Sequence, residues 1–326
     1  MSIKDIQEYL KPRMEQVEST IEYYLRSNIG LLDSTNRMLR EHPGKMLRPM
    51  LCLLVAGACG TPTRDTIRFA AASELLHNAT LLHDDVVDGA TLRRGRPTVA
   101  QILSSPASVL IGDYWLTRSM HAILNADKYS ERVLRTFSDT LADLAEGEML
   151  QLQKASLGDT TEDEYTTIIY DKTASLFVAS AVSAAISVEA SEEVVDAMKA
   201  YACKLGIAFQ IKDDIFDYAP PSKDLGKPVG QDLREQKITQ PLLSALSGAP
   251  AEEERRIRSL IGQLSDKPEM IPEILAFVEK YNGVEQAAGV MDSYINAALQ
   301  SLSVLPPSTE KEALVTLAHY VGDREK

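Results

Sequence analysis

The 326-residue chain has only three cysteines, Cys52, Cys59 and Cys203, with no CxxC pair among them. That argues against a disulfide framework, and an odd, widely spaced count fits a reducing compartment. Cys52 and Cys59 lie in and beside the apolar run Met50 to Ala58, where core filling explains them. Positive charge is also scarce. Thirty-four Lys and Arg stand against 47 Asp and Glu, for a net charge of −13. This argues against nucleic acid or an anionic membrane surface as a general partner. No uncharged stretch reaches the length of a membrane span, so stable membrane insertion is not expected. The opening segment MSIKDIQEYLKPRMEQVEST lacks the apolar core of a secretion signal. A soluble, cytoplasmic protein is the expectation.

Familiar catalytic signatures are missing as well. There is no Ser-His-Asp grouping, Walker loop or GxGxxG, and His77 and His83 are six apart, which gives no zinc pattern. Alternating β patterns flanked by turn pairs are not evident. No linker or low-complexity segment divides the chain. Helical periodicity dominates instead, with candidates at 2–26, 29–41, 46–59, 64–88, 107–124, 130–155, 162–188, 192–218 and 234–247 and further helices beyond. The expected fold is a single all-α domain over 1–326.

What the chain does have is one aspartate pattern written twice, Asp84-Asp85-Val86-Val87-Asp88 and Asp213-Asp214-Ile215-Phe216-Asp217. Each copy ends a long apolar stretch and is followed by a breaker, Gly89 or Pro220-Pro221. Carboxylates therefore crowd the final turn of two helices, where the helix dipole is already negative and favours cations. Two helices with the same reversal point to an absent cation. Hard divalent ions such as Mg²⁺ take carboxylate oxygens and share their coordination with phosphates. Asp84 and Asp88 share a helix face, as do Asp213 and Asp217. Two facing acidic ends could hold several ions and a diphosphate between them; the bland alternative is a pair of solvated acidic caps.

Basic segments favour the first reading. Arg93-Arg94-Gly95-Arg96 follows the first motif, and Gly44-Lys45-Met46-Leu47-Arg48 sets Lys45 and Arg48 at a helix start, a natural phosphate site. Lys172-Thr173 lies mid-helix, Gln210 lies three residues before Asp213, and Lys227 and Lys237 bracket Gly230-Gln231-Asp232. His77 can face the cavity that Asp84 faces.

Together the segments GKMLRP (44–49), LLHDDVVD (81–88), RRGRPT (93–98), GDYWLTR (112–118), EGEMLQLQ (146–153), YDKTASLF (170–177), KLGIAFQIKDDIFDY (204–218) and GKPVGQDLREQKITQP (226–241) resemble the trans-polyprenyl diphosphate synthases, and among them the octaprenyl group. The resemblance implies an antiparallel helical bundle around a deep central cavity, working as a homodimer. It implies elongation of an allylic diphosphate, farnesyl or geranyl, by repeated condensation with isopentenyl diphosphate. Asp84, Asp88 and Asp213 match direct Mg²⁺ ligands, with Asp85, Asp214 and Asp217 in support and three Mg²⁺ per site when substrate is bound. Lys45, Arg48, His77 and Arg94 match the isopentenyl diphosphate site. Arg93, Lys172, Thr173, Gln210, Lys227 and Lys237 match the allylic diphosphate site. Two positions depart from the family pattern, Pro43 where glycine is usual and Met46 where a basic residue is common.

Ala79 and Thr80 stand one turn before Asp84, where short-chain relatives carry a bulky stopper. Their small size predicts an open tunnel and a hexaprenyl to decaprenyl product, octaprenyl favoured, with Trp115, Met120, Ile123 and Leu124 as floor candidates. A terpene cyclase would carry a different second metal motif, and a non-catalytic partner subunit would have lost these acids and bases. Quinone side-chain supply is the role expected by analogy with the long-chain group.

Overall fold

In the computed structural model, residues 1–41, 44–218, 230–264 and 266–324 are described. The chain contacts divide into two compact units. The first comprises Met1–Ser138, Ala179–Lys199 and Val304–Thr316, and the second Asp139–Val178, Ala200–Ser303 and Leu317–Lys326.

Helices α1 (Ile3–Leu25), α2 (Gly30–Arg40), α3 (Leu47–Cys59) and α4 (Arg64–Val87) open the first unit, followed by strands β1 (Leu92–Arg93) and β2 (Arg96–Pro97), then α5 (Val99–Ile102) and α6 (Ser105–Leu124). Ile6, Leu10, Val17, Ile21 and Leu25 give α1 one apolar stripe, which packs on α3 and α4. By contrast, α4 buries residues around its whole circumference, as a central helix must. Thr63 starts it: its hydroxyl accepts the Thr66 N–H, and the Thr66 hydroxyl accepts the Thr63 N–H in return. Helix α6 lies along α4 and comes close because its facing residues are small. The Ser108 hydroxyl donates to the Leu82 carbonyl at 2.9 Å and the Ser119 hydroxyl to the Ala72 carbonyl at 2.8 Å. At Gly112 a Cβ would collide with the His83 ring and lie 3.2 Å from the Ala79 carbonyl.

The second unit draws on α7 (Ser130–Leu157), α8 (Glu162–Ile169), α9 (Ser175–Ser187), α10 (Glu192–Tyr218), α11 (Gln231–Arg234), α12 (Gln240–Ser247), α13 (Ala251–Ile261), α14 (Ile271–Lys280), α15 (Gly283–Ser301) and α16 (Thr309–Asp323). Of these, α7, α9, α10 and α16 also contribute residues to the first unit. Helix α12 packs on α14 and α15. Gly206 of α10 approaches the segment before α9 so closely that a Cβ there would lie 2.6 Å from the Ala174 Cα.

The all-α expectation holds, with three local corrections. The helix expected over 162–188 is interrupted by a π-helical turn, Tyr170–Ala174, between α8 and α9. Such turns put one extra residue into the helix and re-aim its side chains. The helix expected over 234–247 is α12 alone, preceded by the single turn α11. The segment after the first motif, where the sequence shows no alternating β pattern, holds a two-stranded hairpin pairing Leu92 with Pro97. Its turn residues, Arg94 (φ 52°) and Gly95 (φ 75°), both adopt the left-handed conformation that a tight hairpin turn requires. No helix among the described residues is long and apolar enough to cross a membrane.

Candidate functional site

The last turn of α4 places the first motif. Asp84 is half-buried, and Asp88, the C-cap, is exposed, its N–H bonded to the Asp84 carbonyl at 2.8 Å. Gly89 follows at φ +60°, the left-handed step that stops a helix. Asp85 turns inward. It is 4% exposed and accepts the Arg93 Nε–H at 2.7 Å. Arg93, expected at an allylic diphosphate, thus ties the hairpin to the helix end. The Thr98 hydroxyl adds a second tie, to the Ala90 carbonyl at 2.8 Å.

The hairpin turn carries Arg94 to the start of α3, where its guanidinium covers Gly44; a Cβ there would sit 2.5 Å from Nη1. Arg48, Arg93 and Arg94 all act on His77. Burial holds the imidazole well below its ordinary pKa, and the three guanidiniums lower it further, so His77 is neutral. Glu74, one turn before it, is buried with its pKa raised by burial, against Arg48, Asn78 and Arg94. The structure therefore gathers Arg48, His77 and Arg94 into one cluster, with Lys45 exposed beside Gly44. Glu74 escaped notice because it lies inside an apolar run, where nothing sets it apart from a solvated position.

The second motif ends α10. Asp214 repeats the behaviour of Asp85. It is 4% exposed and accepts the Tyr165 hydroxyl at 2.6 Å and the Gln210 amide N–H at 2.9 Å. With its nitrogen committed to Asp214, the Gln210 amide turns its oxygen to the Thr173 hydroxyl, at 2.7 Å. Thr173 reaches this position from the π-helical turn. Burial raises the Asp214 pKa well above the ordinary carboxylate value, with Asp232 adding to the rise. Asp217 accepts the Gln231 and Asp232 N–H groups, one on each oxygen, at 3.0 and 2.9 Å. It thereby anchors the turn at Gly230 (φ +79°). Asp213 is half-buried and accepts from Arg324 Nη2 at 2.7 Å.

A cavity of about 190 Å³ in this unit is lined by Lys172, Thr173, Gln210, Asp214, Asp232 and Lys237. Five of these six bear charge or are bonded to a charge. Lys172 is ion-paired with Glu148, and Lys237 with Glu235. Asp232 is pushed up to about 7, mainly by burial and then by Asp217, while Lys237 opposes the rise. Lys227 lies outside the described residues. A larger cavity of about 1010 Å³ in the first unit, between Glu22, Asp33 and Arg118, holds none of the expected site residues.

Tyr165, Glu148, Glu235, Asp232 and Arg324 were not singled out from the sequence. Tyr165 and Arg324 lie outside every quoted motif. Glu148, Asp232 and Glu235 lie inside quoted motifs but have no spacing that marks a partner.

For chain length, Ala79 is 1% exposed at the α4–α6 contact. Thr80 lies on the Asp84 side of the helix, its hydroxyl bonded to the His77 carbonyl at 2.8 Å. Among the floor candidates Trp115 and Ile123 are buried and Met120 is half-buried. Leu124 is 54% exposed in the single chain and drops out of any enclosed floor.

Among the described residues no group of three His, Cys, Asp or Glu is placed to hold a metal by itself. Mg²⁺ does not demand one, since one or two carboxylates with phosphate and water oxygens complete its octahedron. The donors at both helix ends are carboxylate oxygens, the hard ligands such an ion selects.

Residues 30–278 match the family model described as polyprenyl synthetase. The chain is 36% identical over 324 residues to the octaprenyl diphosphate synthase of Haemophilus influenzae, covering 99% of this chain and 98% of that protein. A decaprenyl diphosphate synthase structure from Rhodobacter capsulatus superposes with a TM-score of 0.90 at 34% identity, covering 99% of each chain. A polyprenyl synthase from Caulobacter crescentus, solved with calcium and isoprenyl diphosphate, gives a TM-score of 0.90 at 30% identity, covering 100% of this chain and 98% of that one.

Proposed function

The chain belongs to the polyprenyl synthetase family, and on that premise we propose how its own residues divide the work of a synthase acting as one domain over 1–326. It is a prenyltransferase, condensing isopentenyl diphosphate with an allylic diphosphate to give a long-chain polyprenyl diphosphate. Asp84, Asp88 and Asp213 are the direct ligands of Mg²⁺ in this reading, three ions per site with substrate bound. When bound, the metal neutralises the leaving diphosphate. The observation that carries the assignment is the shared behaviour of Asp85 and Asp214. Each is the second aspartate of its motif, each is 4% exposed, and each is pinned by donors from another segment. A pinned second carboxylate fixes the rotation of the helix end and so the direction of the first.

Lys45, Arg48 and Arg94 hold the isopentenyl diphosphate, with neutral His77 beside them. Lys172, Lys237, Arg93 and Lys227 hold the allylic diphosphate. Thr173 donates its proton to Gln210, so its lone pairs are left for the positive charge that develops as the allylic C–O bond breaks. No side chain in this account takes the final proton, and the departed diphosphate is the acceptor.

In this reading Ala79 and Thr80 stand where a bulky side chain would stop a growing tail, and an octaprenyl product is the best match to the relatives. Apolar side chains exposed on α6, Leu110 and Leu124 among them, are suited to cover one another in a homodimer. A cytoplasmic enzyme supplying quinone side chains completes the proposal.

The test is a product assay with farnesyl diphosphate, labelled isopentenyl diphosphate and Mg²⁺, the extracted prenols being sized by chromatography. One long prenol is expected. Incorporation that stops at geranylgeranyl would overturn the tunnel assignment, and EDTA-insensitive incorporation would overturn the aspartate roles.

A further inference from the structure

Arg324, the residue after α16, is 7% exposed. Its Nη2 donates to two acceptors on α10, the Phe209 carbonyl and Asp213 Oδ1, each at 2.7 Å. The guanidinium carbon lies 3.8 Å from the Phe209 ring centroid and 5.5 Å from that of Phe216. Phe209, Asp213 and Phe216 fall on one face of α10, four and three residues apart. Two aromatic faces and a carbonyl already make a seat for an arginine. The bond to Asp213 is thus separable from what holds the side chain.

A second feature shows that this arrangement is incomplete. Arg324 Nε is buried and has no hydrogen-bond partner among the described residues. A guanidinium has five N–H donors in a fixed fork, and leaving one dry carries a desolvation cost. The arginine is held at Asp213 without being fully satisfied there. Lys212 lies close by on the same helix, its ammonium 5.2 Å from the Phe216 ring, so a second cation flanks the pair.

We propose that Arg324 is a built-in counter-ion that occupies Asp213 and yields it to a metal ion, coupling metal loading of the second motif to the docking of the end of α16. The proposal rests on reading Asp213 as a metal ligand. A cation already bonded to Asp213 competes with any other for the same oxygen. By linkage, whatever the arginine takes from metal affinity, the metal takes from the seating of Arg324. Arg324 is a positioning residue here, acting on the metal through Asp213.

The experiment titrates Mn²⁺, followed by electron paramagnetic resonance, into the full chain as wild type, Arg324→Gln, Arg324→Lys and Asp213→Asn, without substrate. Hydrogen exchange of residues 317–324 is followed with and without Mn²⁺. Arg324→Gln is expected to bind Mn²⁺ roughly ten-fold more tightly, the scale of one displaced charge-assisted hydrogen bond. Arg324→Lys, which keeps the charge and loses the fork, is expected to fall between. In the wild type Mn²⁺ should speed exchange in 317–324, and in Asp213→Asn it should not. A merely structural arginine predicts the opposite, since its loss would leave Mn²⁺ affinity unchanged or weaker. That result, with exchange at 317–324 indifferent to Mn²⁺, overturns the proposal and leaves the metal reading standing. If Asp213→Asn binds Mn²⁺ as the wild type does, the metal reading of Asp213 fails and the proposal with it. Should Arg324→Gln not fold, the lysine variant and the wild-type exchange decide between the same outcomes.

Discussion

Tyr165→Phe removes one oxygen atom from the network that fixes Asp214, and the consequence should depend on pH. The Asp214 carboxyl is buried and accepts two side-chain hydrogen bonds, from Tyr165 at 2.6 Å and Gln210 at 2.9 Å. Phenylalanine keeps the ring and leaves Oδ2 without its donor. A hydrogen bond to an ionised group contributes about 1.5–3 kcal/mol. Burial is the main cause of the raised Asp214 pKa, and Tyr165 and Gln210 are what hold it down. Without Tyr165 the pKa climbs further, each unit corresponding to about 1.36 kcal/mol. The sign follows from linkage. A carboxyl with a higher pKa folded than unfolded binds protons more readily when folded. Its effect on stability is most favourable below the unfolded value and worsens as pH rises toward the folded value. Raising the folded value extends that decline to higher pH. The variant should match the wild type most nearly in acid, where both carry a protonated Asp214. The gap should open as the pH passes the wild-type folded value and reach about 1.5–3 kcal/mol only above the variant's own, higher value. Tyr165 itself, its pKa raised well above the ordinary phenol value, remains a donor throughout. Urea denaturation in EDTA, followed by circular dichroism from about pH 4 to about pH 9, measures this directly. A loss of equal size at every pH, or one largest in acid, would refute the network reading.

His77→Gln should flatten the acid side of the stability profile. The folded imidazole titrates well below its ordinary value, so the unfolded chain takes the proton first. Wild-type stability is then lost as pH falls below about 6.5, with a slope up to about 1.36 kcal/mol per pH unit; equal slopes in the two proteins would remove the neutral histidine from the account. Ala79→Tyr should shorten the prenol to farnesyl or geranylgeranyl size, and an unchanged chain length would refute the tunnel placement. Gly206→Ala sets a methyl 2.6 Å from the Ala174 Cα and should cost about 1–3 kcal/mol in thermal unfolding. Because the strain falls beside Thr173, kcat should drop more than KM changes; normal kcat with normal stability would show that the two segments separate without consequence.

The long helices were legible because α4 and α10 carry apolar residues over six or seven turns and end at visible breakers. Smaller departures were not. The π-helical turn differs from an α-helix by a single extra residue, and the pattern over 162–188 stays apolar through it. The hairpin at 92–97 has two residues per strand, too few to show alternation, and its signal is the left-handed pair Arg94-Gly95 inside a basic run. Partnerships across long sequence separations were beyond reach. Tyr165 is 49 residues from Asp214, and Arg324 is 111 from Asp213. Composition supplies no register between such segments. Arg48, His77 and Arg94 are also far apart in the chain, and what grouped them was the family resemblance rather than any spacing between them.

Part of the reversed charge at the ends of α4 and α10 is satisfied by the protein through the second aspartate of each motif. Neighbouring residues on a helix point about 100° apart, so an adjacent aspartate pair must send one carboxylate inward when the other faces out. The inward one cannot stay unpaired in a dry interior. Asp85 meets Arg93, and Asp214 meets Tyr165 and Gln210. The third aspartates then diverge. Asp88 is an exposed cap one turn from Asp84, whereas Asp217 has an N–H on each oxygen from the turn at 230–232. In the second motif Asp213 accepts from an arginine and Asp217 takes a backbone N–H on each oxygen, so a cation there must share or displace bonds that the protein already makes. Those bonds should limit what the second motif gives a cation. Comparing Mn²⁺ affinity in Asp84→Asn and Asp213→Asn tests this. The first substitution should cost more, and a larger loss from Asp213→Asn would mean that the bonds seen at Asp217 and Arg324 do not limit the second site.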